Sequence, residues 1–237
     1  MIDDNTIMEV RPRDQVFFFV LDTSTGIAHE RINAINHAMH EAIFYLKQVQ
    51  DECCLERTIK VAFLECGRST RWVSKMPEAV CDFIWQDIPS GNGCISWREA
   101  ILELESQLSR RAMLYSETGI NVPVIVFITN TLPTEIDWNK TIEPLHHNNW
   151  FKHAIKFAIT SDYASVESLA KLIRVSEFCY ELTDPRDLEM VLIEALKAAT
   201  TYITIGPAPR QFWRDDEVPV EHPIEPVFFP DDMWDDW

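Results

Sequence analysis

Three short segments of this sequence gather oxygen-bearing side chains at places where chemistry could be done. Asp22-Thr23-Ser24-Thr25-Gly26 follows the apolar run Val-Phe-Phe-Phe-Val-Leu of residues 16–21. Ser90-Gly91-Asn92-Gly93-Cys94-Ile95-Ser96-Trp97 carries a strong turn signal and leads into an amphipathic stretch. Thr129-Asn130-Thr131-Leu132-Pro133-Thr134-Glu135 follows a second apolar run, Val-Ile-Val-Phe-Ile of residues 124–128. The plainer reading is structural. Asp22 orders its own turn by accepting N–H groups two residues ahead, and Ser24 caps the helix that follows. Two carboxylates sharing a proton would need a second Asp-Thr-Ser loop, and the sequence has none. Phosphoryl transfer through Asp22 would need a second acid two residues on, where Ser24 stands.

Other candidates are weaker. His37, His40 and Glu41 share one face of a helix, which reads as a solvated face before it reads as a zinc site. The adjacent rings of His146 and His147 diverge on an exposed loop. Cys53, Cys54, Cys66, Cys81, Cys94 and Cys179 form no C-x-x-C pair, so they read as reduced thiols, mostly small core residues. No phosphate loop, nucleotide fingerprint or Ser-His-Asp signature is present.

The elements that must position these loops follow from periodicity. Residues 15–21 and 121–129 are apolar runs of the kind found in strands buried on both faces. Residues 58–66, 153–160 and 177–182 read as further strands, and 71–75 as a short edge strand. Helical spacing runs over 28–51, with Ile32, Ile35, Met39, Ile43, Leu46 and Val49 on one stripe. It recurs over 96–113, 135–147 (with Pro144 ending or kinking it), 165–175 and 184–200. Asp184 caps that last helix with Pro185 at its first position. Residues 76–93 read as irregular. Strands alternating with helices predict an α/β, Rossmann-like, doubly wound and mostly parallel sheet in three layers. Its ligands would meet the carboxyl ends of the strands, at the switch point.

These loops in this order resemble a von Willebrand factor A domain, and within that superfamily the TerY-like bacterial branch. Asp22–Ile27 is similar to the family's Asp-Thr-Ser-Gly-Ser-Met, Gly93–Ile101 to its Gly-Gly-Thr-Pro-Leu-Gly-Glu-Ala-Leu, and Thr129–Glu135 to its Thr-Asp-Gly-Glu-Pro-Thr-Asp. Leu182-Thr183-Asp184-Pro185-Arg186-Asp187-Leu188 resembles a segment of the TerY-like branch. The resemblance covers nearly all of residues 15–203. It implies a strand order of 3-2-1-4-5-6 with one antiparallel edge strand, and a metal-ion-dependent adhesion site at the strand ends. This chain departs from that site. Asp22 and Ser24 stand, but Gly26 replaces a Ser, Ile95 a Thr and Asn130 an Asp. One carboxylate then remains for a cation that wants six oxygens, so the expectation is a degenerate site with no metal and no other cofactor. Cys94 does not rescue it, because soft sulfur suits Mg²⁺ poorly.

Composition bounds the rest. Of 237 residues, 38 are Asp or Glu against 21 Lys or Arg, a formal charge of −17, so nucleic acid and anionic membranes are expected not to be partners. No apolar run is long enough to span a bilayer, and the acidic start does not read as a signal peptide; the expected location is cytoplasmic. The chain divides into an extension over 1–12, the domain over 13–206, and a tail over 207–237. The tail holds 6 of the 13 prolines and 3 of the 8 tryptophans, with nine acids against two bases. Its aromatics, Trp213, Phe228, Phe229, Trp234 and Trp237, interleave with those acids as binding anchors do, whether in cis or in trans. The resemblance implies a non-catalytic adaptor or regulator in a stress, tellurite-resistance or defence system. Its partners would be a protein kinase and a metal-dependent serine/threonine phosphatase. The alternatives are a phosphoryl-transfer or hydrolytic enzyme using Asp22, and an accessory subunit of an ATP-driven chelatase or MoxR-like machine.

Overall fold

The computed structural model describes residues 12–24, 29–53, 56–89, 93–131, 137–161 and 163–205. The central strand is β1 (Arg13–Asp22), whose β-branched and aromatic residues are buried from Asp14 onward. It pairs in parallel with β2 (Arg57–Cys66) on one side and β5 (Val124–Thr129) on the other. Beyond β5 lie β6 (Ile155–Thr160) and β7 (Cys179–Glu181), also parallel. Beyond β2 lie β3 (Thr70–Trp72) and the two-residue β4 (Glu78–Ala79), both antiparallel to it. The order is β3-β2-β1-β5-β6-β7, as expected once β4 is set aside.

Period-2 alternation divides β1 between two cores. Phe17, Phe19 and Leu21 face α1 (His29–Cys53) and α6 (Leu188–Ile205). Val16, Phe18 and Val20 face α2 (Trp97–Gln107), α3 (Trp138–His147), α4 (Asn149–His153) and α5 (Tyr163–Ile173). The stripe expected on α1 is the buried one: Ile32, Ile35, Met39 and Leu46 are at most 1% exposed. The fold is therefore a mostly parallel α/β sheet with helices on both faces. Its order reverses between β1 and β5, which puts the ends of those strands at the switch point.

Several boundaries differ from the sequence reading, each for a local reason. Residues 80–88 are not loose loop: Val80, Phe83, Trp85 and Ile88 are buried in the α1-side core, and Phe63 stacks on Phe83 at 4.9 Å. Asn36 pins that segment by donating to the Ile88 carbonyl at 3.0 Å and accepting its N–H at 2.9 Å. Helix α2 stops at Gln107, and residues 109–114 form turns. Pro144 lies within α3, which runs on to His147; Asn148 then caps α4, where a strand was expected to begin. The segment before α6 is a 3-10 turn, Pro185–Asp187, and Asp184 caps it through the Arg186 N–H. The extension and the tail lie outside the described residues.

Candidate functional site

Asp22 is the last residue of β1 and 1% exposed. The parallel ladder continues one residue past it, with Thr23 N–H donating to the Cys66 carbonyl at 2.8 Å. On the other side Leu21 pairs with Ile128, so the next residue of β5, Thr129, falls beside Asp22. Its hydroxyl donates to Asp22 Oδ2 at 2.8 Å. The Thr131 hydroxyl donates to the same oxygen in a short contact, and the Ser24 N–H donates to Oδ1 at 3.0 Å. Thr131 is itself held by its N–H on Thr129 Oγ1 at 3.1 Å. Among the described residues, the donors to the two carboxylate oxygens come from the end of β5 and from the loops that follow β1 and β5, at the switch point.

The turn-ordering role expected of Asp22 is present in the Ser24 N–H contact. The Ser24 hydroxyl sits 3.4 Å from that of Thr131; residues 25–28, on which the expected cap of α1 depends, lie outside the described residues. The Asn130 side-chain oxygen accepts from the Ser161 hydroxyl just beyond β6. Ile95 offers no oxygen and packs its half-buried side chain against the core under α2. Its loop is fixed by Gly93, at φ +66°, where a Cβ would stand 2.5 Å from Arg68 Cβ and 2.6 Å from Arg68 Cα. Ser96 then opens α2 by accepting the Glu99 N–H at 3.3 Å. The structure thus brings Asp22, Ser24, Thr129 and Thr131 into one network, with Asn130 bonded to Ser161. Gly26 lies outside the described residues, as do Trp213, Phe228, Phe229, Trp234 and Trp237. Sequence reasoning missed Thr129 and Thr131 as the donors. The signal was a Thr-x-Thr pair at the end of the strand beside the Asp.

Cys66 shares this strand end. Burial pushes its thiol well above the ordinary cysteine range, and the nearby Asp22 and Glu65 charges push it further, against the hydrogen bond from Thr70. It is a neutral, inert thiol. Cys53 and Cys179 are half-buried and pack against the two cores, as expected, while Cys81 and Cys94 are exposed and depart from that expectation; Cys54 lies outside the described residues.

The histidines form no shared site. His37 pairs with Glu189 at 2.8 Å and His40 with Asp87 at 2.9 Å, both exposed contacts. His146 and His147 end a helix rather than sit on a loop, and His146 Nε2 contacts the Leu172 carbonyl at 2.8 Å. Among the described residues no group of three or more His, Cys, Asp or Glu is arranged to hold a metal. No described helix is long and apolar enough to cross a membrane.

No family model matches the sequence, and no curated protein sequence matches it. Solved structures do resemble it. A von Willebrand factor type A protein from Catenulispora acidiphila superimposes with a TM-score of 0.54 over 80% of this chain, at 13% identity. The pilus adhesin SpaC from Lactobacillus rhamnosus GG gives 0.59 over 81%, at 11% identity. The SpRpn10 VWA domain gives 0.51 over 77%, at 15% identity. This chain spans 43% of the first, 30% of the second and 95% of the third. The likeness is one of fold, and the chain has the von Willebrand factor A fold.

Proposed function

We propose that this chain is a non-catalytic protein-interaction module whose strand-end site has exchanged a metal for internal hydrogen bonds. The observation that carries the reading is the Asp22 carboxylate, buried and closed by the Ser24 N–H and the Thr129 and Thr131 hydroxyls. The fold family implies a divalent cation at this place, and the donor set does not fit one. Gly26 and Ile95 bring no side-chain oxygen, Asn130 brings no charge, and both Asp22 oxygens are engaged. The same closure argues against Asp22 as a nucleophile or general base, since an incoming substrate would have to displace donors it could not replace.

An interaction role suits this fold, since one structural neighbour is a pilus adhesin. The resemblance to the TerY-like branch makes the partners a protein kinase and a metal-dependent serine/threonine phosphatase in a bacterial stress or defence system. The tail aromatics Trp213, Phe228, Phe229, Trp234 and Trp237 supply the anchors. Burying one such ring contributes about 1.5–3 kcal/mol, so losing several abolishes a micromolar contact worth about 8 kcal/mol.

Co-purification of the full chain with a kinase and a phosphatase encoded beside it tests the reading. The wild type should retain a partner, and the variant with all five tail aromatics changed to Ala should not. Phosphomonoester turnover that disappears in Asp22→Asn would establish an enzyme instead. The metal half is tested by melting: Mg²⁺ or Mn²⁺ should leave the Tm unchanged. A cation at 100 times its Kd would add about 2.7 kcal/mol. A rise of several degrees, lost in Asp22→Ala, would overturn it.

A further inference from the structure

Helices α3 and α5 lie on the same sheet face and flank an open groove of about 860 Å³. Lys140, His146 and His147 of α3 line one side, and Lys171 and Arg174 the other. Ala170 adds a half-buried apolar side chain between them. Two carboxylates also line it, and one of these, Glu167, is tied to Lys171 at 2.7 Å. Lys140 is likewise tied to Asp137 at 2.9 Å, so the lining keeps a small positive excess, three cations against two carboxylates, in a chain that is otherwise strongly acidic. Between Glu143 and Asp162 there is no acid, while His146, His147, Lys152, His153 and Lys156 all fall there. Arg174 ends α5 at φ 62°. Its charge helps hold both His146 and Lys156 below their ordinary protonation ranges, after burial as the main cause. The ends of α3 and α5 offset part of this charge through their dipoles, but those act within one turn.

The segment that matches this surface belongs to the same chain. Residues 207–237 carry nine acids against two bases and six prolines. Helices α3, α5 and α6 each run antiparallel to the parallel strands. All three therefore end at the strands' N-terminal edge, where α6 stops at Ile205. From there 32 residues can extend roughly 100 Å, against a radius of gyration of about 17 Å for a domain this size. Reach is no obstacle.

We infer that residues 207–237 dock back along the α3–α5 groove, with tail acids against Lys140, Lys171 and Arg174. The inference deepens the role proposed for the tail and rests on the tail being a binding element. Its test reads the contact within one chain, whereas co-purification reads the contact between chains, so either can fail without the other.

The test is carbodiimide crosslinking of the full chain, mixed in equal amounts with its ¹⁵N-labelled form. Links from Asp231, Asp232, Asp235 or Asp236 to Lys140 or Lys171 should appear within one isotope. They should vanish in about 1 M salt, where the Debye length is about 3 Å. Arg174→Glu should lower their yield severalfold at unchanged helicity; if that variant unfolds, the wild-type pattern decides. Mixed-isotope links would mean exchange between copies and overturn the inference. Links directed instead to Lys47, Lys60 or Lys197, or none from the tail, would overturn it too.

Discussion

A carboxylate removed from water needs donors, and Asp22 finds them in side chains more than a hundred residues away in sequence. Thr131→Val removes one hydroxyl at nearly constant shape. It should cost about 1–3 kcal/mol, read as a lower urea midpoint at unchanged slope. An unshifted midpoint would mean that water replaces the hydroxyl. The same contact bears on restoring a metal. Gly26→Ser, Ile95→Thr and Asn130→Asp rebuild the family's ligands, but Thr131 still holds Asp22 Oδ2. Adding Thr131→Gly should therefore give Mg²⁺ binding by calorimetry where the triple variant gives less or none. Equal binding by the two would show that the threonine does not gate the site. The Asx turn at Asp22 was legible from spacing. The part played by Thr131 was not, because nothing local distinguishes a solvated loop threonine from one aimed at a carboxylate on the neighbouring strand.

Two predictions belong to the elements. Gly93→Ala places a Cβ against the Arg68 backbone at positive φ, so the loop before α2 must shift. A loss of stability above about 1 kcal/mol is expected by chemical denaturation, and an unchanged midpoint would show that the loop yields freely. At the start of β6, Lys156 is 8% exposed and donates to the carbonyls of Phe151 at 2.9 Å, Ala154 at 2.8 Å and Lys152 at 3.4 Å. Burial, then Arg174, lowers it to about 8. An unfolded lysine keeps its proton to about 10.4, so between these values the unfolded chain binds more protons and stability rises with pH. Raised groups such as the Cys66 and Cys179 thiols and Tyr180 act in the opposite direction. The readout is therefore the difference between wild type and Lys156→Met. Unfolding free energy should rise more steeply from pH 8 to 10.5 in the wild type, by an amount on the order of a few kcal/mol. Parallel curves would mean the amine keeps an ordinary affinity for protons.

At the scale of the whole molecule, a chain of charge −17 carries a basic groove on one sheet face and a tail of nine acids and two bases. Such a division of charge acts mainly on encounter rates. Raising salt from about 0.01 M to about 1 M shortens the Debye length from about 30 Å to about 3 Å. If tail acids steer a protein partner, its association rate should fall severalfold over that range, while dissociation changes little. A salt-independent association rate, measured by stopped flow, would leave the aromatics as the sole contribution of the tail.

The sequence by itself determined the layers. Continuous apolar runs at 16–21 and 124–128, separated by helical stripes, admit a parallel sheet covered on both faces, because each buried strand must satisfy its backbone in the ladder and its side chains on two sides. It also determined that the loops carrying Asp22 and Asn130 emerge on one edge of the sheet, since both follow parallel strands; that those strands are neighbours was implied only by the family resemblance. What the tertiary structure decided was everything that depends on which strangers meet. Within residues 80–88, which lack periodicity, Val80, Phe83, Trp85 and Ile88 are buried, and Phe63, itself the neighbour of Phe19, presents a ring for Phe83 to stack on. The Asp22 carboxylate is closed because the register of β5 against β1 brings Thr129 to it and Thr131 follows. The basic groove exists because α3 and α5 end side by side. Periodicity reports which face of an element is apolar; it carries no information on the residue that another element brings opposite, which is fixed by packing over the whole chain.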